Sequence, residues 1–335
     1  MNMHTDLPMG DWKARDFPEA QADADAPVLS VVIPVYNEEE VLAALFARLY
    51  PALDALHVRY EVIFIDDGSR DRSTSILAAQ FERRPEVTRV ILLNGNFGQH
   101  RAILAGFAHC RGERIMTLDA DLQNPPEEIP RLLAAMDEGH DCVGTVRRQR
   151  QDKAWRRWAS RAMNRMRHGL TGIVMTDHGS MMRAYSRRVI SLINQCNEMS
   201  TFIPALAYQF AENPAEVEIA HEARFAGESK YSLYRLIRLN FDLVTGFSVM
   251  PLQAFSMLGI VVSLLSGALF VLLVARRLFI GPEEGGLFTL FALVFLLVGL
   301  ALFGIGLLGE YIGRIYQEVR SRPRYVISAI LERKS

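Results

Sequence analysis

Two stretches of this chain, residues 251–275 (PLQAFSMLGIVVSLLSGALFVLLVA) and 285–309 (GGLFTLFALVFLLVGLALFGIGLLG), contain no charged residue. At about 1.5 Å per helical residue, each is long enough to cross a bilayer core of about 30 Å. A buried core helix is the competing reading, but two uncharged runs in one short region favour a pair of transmembrane helices. Arg235 and Arg238 precede the first run and Arg314, Arg320, Arg322 and Arg324 follow the second, whereas Arg276 and Arg277 between them are opposed by Glu283 and Glu284. Basic flanks stay on the cytoplasmic side, so both ends are expected in the cytoplasm and the hairpin loop outside.

The rest of the chain reads as alternating strands and helices. Residues 28–36, 60–66, 87–93, 114–120 and 141–147 are short runs rich in Val, Ile and Leu, the near-continuous apolar type expected when helices cover both faces of a sheet. Helical patterns lie between them at 38–49, 98–110 and 127–138, and Asn37 with Glu40 resembles a capping box opening the first. This order predicts a doubly wound α/β domain with a mostly parallel sheet, which binds ligands beyond the carboxyl ends of its strands.

Carboxylates collect at those ends. Pro34-Val35-Tyr36-Asn37-Glu38, Ile65-Asp66-Asp67-Gly68-Ser69 and Asp119-Ala120-Asp121-Leu122-Gln123 each follow an apolar run. Singly, each has a structural reading: Asn37 starting a helix, or Asp67-Gly68 making a turn. Together they would repel one another unless something positive sits among them, and a metal bound to a nucleotide diphosphate meets that need. Magnesium takes one or two carboxylates and completes its shell with phosphate and water, which suits Asp121 and Gln123 with Asp119 nearby. No Walker loop and no GxGxxG is present, which excludes P-loop NTPases and Rossmann dehydrogenases.

The formal net charge of −1 argues against a nucleic-acid partner. Cys110, Cys142 and Cys196 are odd in number and lack metal-like spacing, which fits reduced, buried thiols. Residues 1–26 read as a mobile tail.

Four motifs together resemble the signature of family 2 glycosyltransferases acting on polyprenyl phosphates: residues 30–38 (SVVIPVYNE), Asp66-Asp67-Gly68-Ser69, Asp119-Ala120-Asp121-Leu122-Gln123 and Gly227-Glu228-Ser229-Lys230-Tyr231. The resemblance covers about residues 28–326. Asn96-Phe97-Gly98-Gln99-His100, Gly144-Thr145-Val146-Arg147, Ser200-Thr201-Phe202-Ile203-Pro204 and the run Leu308–Tyr316 are most similar to the members that handle 4-deoxy-4-formamido-L-arabinose. Asp177-His178-Gly179-Ser180 departs from the Asp-Tyr-Gly-Cys expected there.

The resemblance implies a GT-A type sheet with interfacial amphipathic helices and two C-terminal transmembrane helices. It divides the chain into a glycosyltransferase domain (27–230), a juxtamembrane amphipathic helix (231–250), a transmembrane hairpin (251–309) and a cytoplasmic C-terminal segment (310–335). Pro34, Tyr36 and Glu38 would line the uracil and ribose pocket, with Asp66 and Asp67 on the nucleoside and Asp119 on the nucleotide-sugar. Asp121 and Gln123 would hold Mg²⁺ or Mn²⁺, while Arg224 and Lys230 would bind phosphate oxygens. The implied reaction is inverting transfer of the arabinose derivative from UDP to undecaprenyl phosphate at a bacterial inner membrane, serving lipid A modification and resistance to cationic peptides. A homo-oligomer, a tetramer among relatives, is a family expectation.

Charge also suggests how such a reaction would run. A phosphate monoester with a second pKa of about 6 is already ionised at pH 7, so repulsion between acceptor and donor is the harder problem. Arg147, just after the fifth strand, is the best candidate for the acceptor phosphate, with Arg148 and Arg150 either assisting or simply solvated. Asp177 and Arg183 are secondary site candidates. Trp155, Trp158, Ala162 and Met166 mark a basic amphipathic helix that either lies at the membrane or packs on the domain, and the stripe from Leu233 to Phe247 is read as interfacial. Rival readings are a glucosyl- or GlcNAc-transferase of the same architecture, a processive synthase, and a non-catalytic nucleotide-binding scaffold. The synthase would need more spans, and the scaffold would have no reason to keep so many juxtaposed acids.

Overall fold

The computed structural model describes residues 26–147, 180–196, 202–220, 222, 250–279, 281, 287–320 and 322–333. Its strands are β1 (Leu29–Val35), β2 (Tyr60–Asp66), β3 (Thr88–Leu93), β4 (Arg114–Thr117), β5 (Cys142–Arg147), β6 (Arg183–Ser186), β7 (Pro214–Ile219) and β8 (Ile327–Leu331). They form one eight-stranded sheet in the order β7-β5-β6-β4-β1-β2-β3-β8. The helices are α1 (Leu42–Asp54), α2 (Ser73–Arg83), α3 (Gln99–His109), α4 (Ile129–Asp137), α5 (Arg187–Gln195), α6 (Ile203–Phe210), α7 (Met250–Phe279) and α8 (Leu287–Val319).

Alternation along the central strands divides the core between the two faces of the sheet. Val31, Ile33 and Val35 of β1 join Val62 and Phe64 of β2 in a cluster with Leu42, Leu45 and Leu49 of α1. Val32, Ile63 and Ile65 point the other way, into a cluster with α3, α5 and α6. Burial on both faces is why these strands read as unbroken apolar runs.

β1 pairs in parallel with β2 and β4, β2 with β3, and β5 with β7. The sheet is nonetheless more mixed than the mostly parallel one expected. β6 is inserted antiparallel between β4 and β5, and β8 adds antiparallel to the β3 edge. β6 is a four-residue strand, RAYS, with no apolar run to announce it. β8 lies beyond the long helices, so a division that closes the soluble domain at residue 230 leaves out one of its strands.

The expected capping box does not form. Helix α1 begins at Leu42 with no side-chain cap, and Asn37 instead adopts a left-handed backbone, φ 55°. Its Oδ1 accepts a hydrogen bond from the Arg70 backbone N–H at 2.8 Å, so the side chain serves the loop after β2 rather than its own helix. α1 also continues through Pro51, past the expected end at Leu49, and buries Leu53.

α7 and α8 meet where Phe255 and Phe303 pack with ring centroids 5.7 Å apart. Both helices turn large apolar side chains outward, Leu264 and Phe295 each being 70% exposed. Among the described residues one stretch, Leu293–Gly313, is long and apolar enough to cross a membrane, and Leu252–Val262 is a shorter apolar run. The tail through residue 25 and the amphipathic segments 152–169 and 233–247 lie outside the described residues. Cys110, Cys142 and Cys196 are free thiols, and burial pushes Cys110 up to about 11 and Cys142 up to about 12.

Candidate active site

The parallel arrangement of β1 to β4 brings their carboxyl ends to one edge, and the acids gather there. β5 runs antiparallel to β6, which runs antiparallel to β4, so the carboxyl end of β5 opens on the same edge. Arg147 is its last residue, opposite Ile219 of β7.

The loop after β1 and the loop after β2 are sewn together. Asn37 N–H donates to Ser69 Oγ at 3.0 Å, Glu38 N–H to Ser73 Oγ at 2.9 Å and Glu39 N–H to Asp71 Oδ2 at 3.2 Å. Asp66, 3% exposed, accepts from Ser69 N–H at 2.9 Å through one oxygen and from the Thr74 hydroxyl through the other. Half-buried Pro34 and Tyr36, 41% exposed, sit beside this seam and leave an aromatic face open to a ligand.

Asp67 reaches the next loop. Its two oxygens accept from the backbone N–H groups of Phe97 at 2.7 Å and Gly98 at 2.8 Å. Burial raises its pKa above the ordinary carboxylate value, and those two backbone donors oppose the rise. Gly68, at φ 70°, packs so tightly on Gly95 that a Cβ there would lie 2.5 Å from the Gly95 carbonyl carbon.

β4 ends at Thr117, two residues before the first acid of the Asp-x-Asp-x-Gln run. Asp119 Oδ1 accepts from the side-chain amide of Gln99 at 2.7 Å. Asp121, 8% exposed, accepts from the Gln123 N–H at 3.1 Å, and Leu122 between them is left-handed at φ 59°. The Gln123 carbonyl in turn accepts from the Glu222 N–H at 2.9 Å. Glu222 is held by Arg48, whose guanidinium also grips Glu127, with N–O distances of 2.9–3.0 Å throughout. Both glutamates are kept below the ordinary carboxylate range, chiefly by hydrogen bonds from Arg48.

The donors of the run are hard oxygens: two carboxylates and the Gln123 amide. Next to them in sequence, Asn124 is 4% exposed and its buried Oδ1 has no hydrogen-bond partner. Among the described residues no group of three or more His, Cys, Asp or Glu gathers to hold a metal. The run therefore fits a hard divalent cation that takes few protein ligands and completes its shell with phosphate and water, and it does not fit a soft or fully caged one.

Pro34, Tyr36, Glu38, Asp66, Asp67, Asp119, Asp121, Gln123 and Arg147 thus lie along one edge, whereas Asp177, Arg224 and Lys230 fall outside the described residues. Arg183 is 0% exposed on β6, with Nε donating to the Ser180 carbonyl at 2.9 Å and its guanidinium over the Tyr208 ring, so it sits in the core. Sequence reasoning missed the contact of Gln99 with Asp119, since the only signal at Gln99 was its place in the Asn96–His100 run. It also missed the Arg48–Glu222 tie, which spans 174 positions and carries no local signal.

The chain belongs to glycosyl transferase family 2, whose description matches residues 30–193. It is 51% identical over 305 residues to an undecaprenyl-phosphate 4-deoxy-4-formamido-L-arabinose transferase of Edwardsiella ictaluri, covering 90% of this chain and 94% of that one. A protein of the same name from Serratia proteamaculans is likewise 51% identical over 305 residues, covering 90% of this chain and 94% of that one. A crystal structure of glucosyl-3-phosphoglycerate synthase from Mycobacterium tuberculosis, in complex with Mn²⁺, UDP-glucose and phosphoglyceric acid, matches with a TM-score of 0.45. That match has 19% identity and covers 65% of this chain and 78% of the other.

Proposed function

We propose that this protein transfers 4-deoxy-4-formamido-L-arabinose from UDP to undecaprenyl phosphate at the cytoplasmic face of a bacterial inner membrane, a step toward lipid A modification. The observation that carries the reading is the 51% identity to relatives of that name across 90% of the chain.

A lipid phosphate oxygen attacks the anomeric carbon, the bond from that carbon to the UDP oxygen breaks, and UDP leaves with its electron pair. The acceptor is already ionised at pH 7, so the chain's task is to align two anions and offset their charge. Pro34, Tyr36 and Glu38, with Asp66 and Asp67 behind them, hold the nucleoside; Asp119 orients the nucleotide-sugar. Asp121 and Gln123 would hold Mg²⁺ or Mn²⁺, which supplies positive charge to the donor diphosphate. Arg147 takes the acceptor phosphate, Arg224 and Lys230 take diphosphate oxygens, and Asp177 belongs to the same site.

The fold supports a two-span topology. β8 follows the apolar helices yet pairs with β3, so residues before and after those helices share one sheet. A chain that leaves and rejoins the same sheet crosses a membrane an even number of times. If Leu293–Gly313 crosses, α7 crosses as well, and both termini stay on the side of the sheet. Apolar area facing outward on both helices fits lipid or a second copy in a homo-oligomer.

Detergent-purified full-length protein, given undecaprenyl phosphate and Mg²⁺ or Mn²⁺, should release UDP from UDP-4-deoxy-4-formamido-L-arabinose and not from UDP-glucose or UDP-GlcNAc. Turnover with one of the latter alone would keep the family and discard the sugar. UDP binding without turnover on any donor would favour a scaffold. Asp121→Asn should abolish turnover with little loss of fold, and Arg147→Ala should raise the lipid phosphate requirement far more than that for UDP-sugar.

A further inference from the structure

We infer that Gln99 is a positioning residue for the transfer, its side-chain amide fixing the Asp119 carboxylate in the orientation that meets the metal-bound donor diphosphate. This rests on the reading of the acid edge as a UDP-sugar site.

Asp119 lies in the loop beyond its own strand: β4 stops at Thr117, and Leu122 downstream is left-handed. Gln99 holds its carboxylate at 2.7 Å. The carboxylate partner settles which end of the amide faces it, since only the NH₂ can donate. A hydrogen bond to an ionised acceptor is about twice as strong as a neutral one, and here it is made to Oδ1.

A pair of hydrogen bonds, a glycine turn and close packing hold the helix that presents Gln99. Asp67 grips the N–H groups of Phe97 and Gly98, the two residues before it. Gly98 is at φ 93°, a conformation that side chains rarely adopt, so the turn into α3 depends on glycine. α3 itself lies against β1 and β2 so closely that a Cβ on Gly106 would fall 2.4 Å from Val32 Cγ1 and 2.9 Å from Ile65 Cδ1. The end of β2 therefore sets Asp119, at the end of β4, through a relay: Asp67 to the glycine turn, the turn to Gln99, Gln99 to Asp119. Gln99 itself is exposed, so changing its side chain does not disturb the core.

The test is a double-mutant cycle on UDP binding, a readout that involves neither the sugar nor the lipid. Full-length wild type, Gln99→Met, Asp119→Asn and the double variant are titrated with UDP by calorimetry, with and without Mn²⁺. Gln99→Met keeps the side-chain length and removes the donor. It should cut the Mn²⁺-dependent gain in UDP affinity roughly tenfold and leave metal-free UDP affinity unchanged. The double variant should be no weaker than Asp119→Asn alone, because Gln99 acts through Asp119. A wild-type gain in Gln99→Met, or losses that multiply in the double variant, would overturn the inference. A wild-type protein indifferent to Mn²⁺ would overturn the metal reading of the site and this inference with it, whereas turnover with a different UDP-sugar would overturn only the sugar.

Discussion

Arg89 on β3 and Glu332, one residue past β8, are paired at 2.8 Å, fastening the segment that returns from the apolar helices to the sheet that precedes them. The Arg89 guanidinium also meets Glu61 on β2 at 2.9 Å and donates to the His109 carbonyl at 2.7 Å. Arg111 adds a second contact to Glu332 at 2.8 Å. One buried cation thus ties β2, β3, the end of α3 and the chain after β8 together.

The two ends of this pair should differ in cost. Arg89→Ala leaves Glu61, 5% exposed, as a buried charge without its guanidinium and should destabilise by about 3–5 kcal/mol. Glu332 is 37% exposed, so Glu332→Ala should cost only about 1 kcal/mol. Denaturant unfolding in detergent compares the two, and equal losses would show that the network is not centred on Arg89.

Gly68→Ala should cripple the site without removing any acid. At φ 70° and 2.5 Å from the backbone of Gly95, an added Cβ has no flexible neighbour to displace, so the loop carrying Asp66 and Asp67 must shift. UDP affinity should fall at least tenfold, a loss read by the same calorimetry. Gly139→Ala, also at positive φ but with nothing within 4 Å of its Cβ, is the control for backbone strain alone.

Stability should fall on mild acidification because of His100. Its Nδ1 is buried without a hydrogen-bond partner, its ring packs edge-on to Phe202 at 5.4 Å, and burial lowers its pKa from 6.5 to about 4. A depressed folded-state value means that the unfolded chain binds the proton first. The contribution of His100 is therefore complete above pH 6.5 and is lost as pH falls toward about 4. Unfolding midpoints of wild type should decline across that window more steeply than those of His100→Phe, and parallel curves would rule the group out.

The α7–α8 contact should depend on a missing side chain. A Cβ on Gly304 would lie 2.2 Å from Phe255 Cε1, so a side chain at 304 fits only if the Phe255 ring or the helices move. Gly304→Val should lower the melting temperature in detergent, and Phe255→Ala in the same chain should recover part of the loss by vacating the space. No recovery would mean that the two helices are not held at this point.

Much of the acidic edge is legible in the chain. β1, β2 and β3 announce themselves because burial on both faces leaves nearly unbroken apolar runs, and acids follow closely on β1, β2 and β4. β6 stays hidden because RAYS has neither alternation nor an apolar run, and its strand identity comes from filling the gap between β4 and β5. Asn37 misleads because the same side chain that caps a helix can equally bind a neighbouring loop, and only the nearness of Arg70 decides which.

The sequence by itself determined the strand-helix alternation, the three acidic strand ends and the apolar helices, since each is a local pattern of burial and charge. Tertiary structure alone decided that β8 closes the β3 edge, that Asp67 is spent on the backbone of another loop, that Gln99 meets Asp119 and that Arg48 holds Glu222, whose N–H meets the Asp-x-Asp-x-Gln run. Each of these joins residues distant in the chain, and hydrogen-bond geometry between separate elements leaves no periodicity for a sequence to carry.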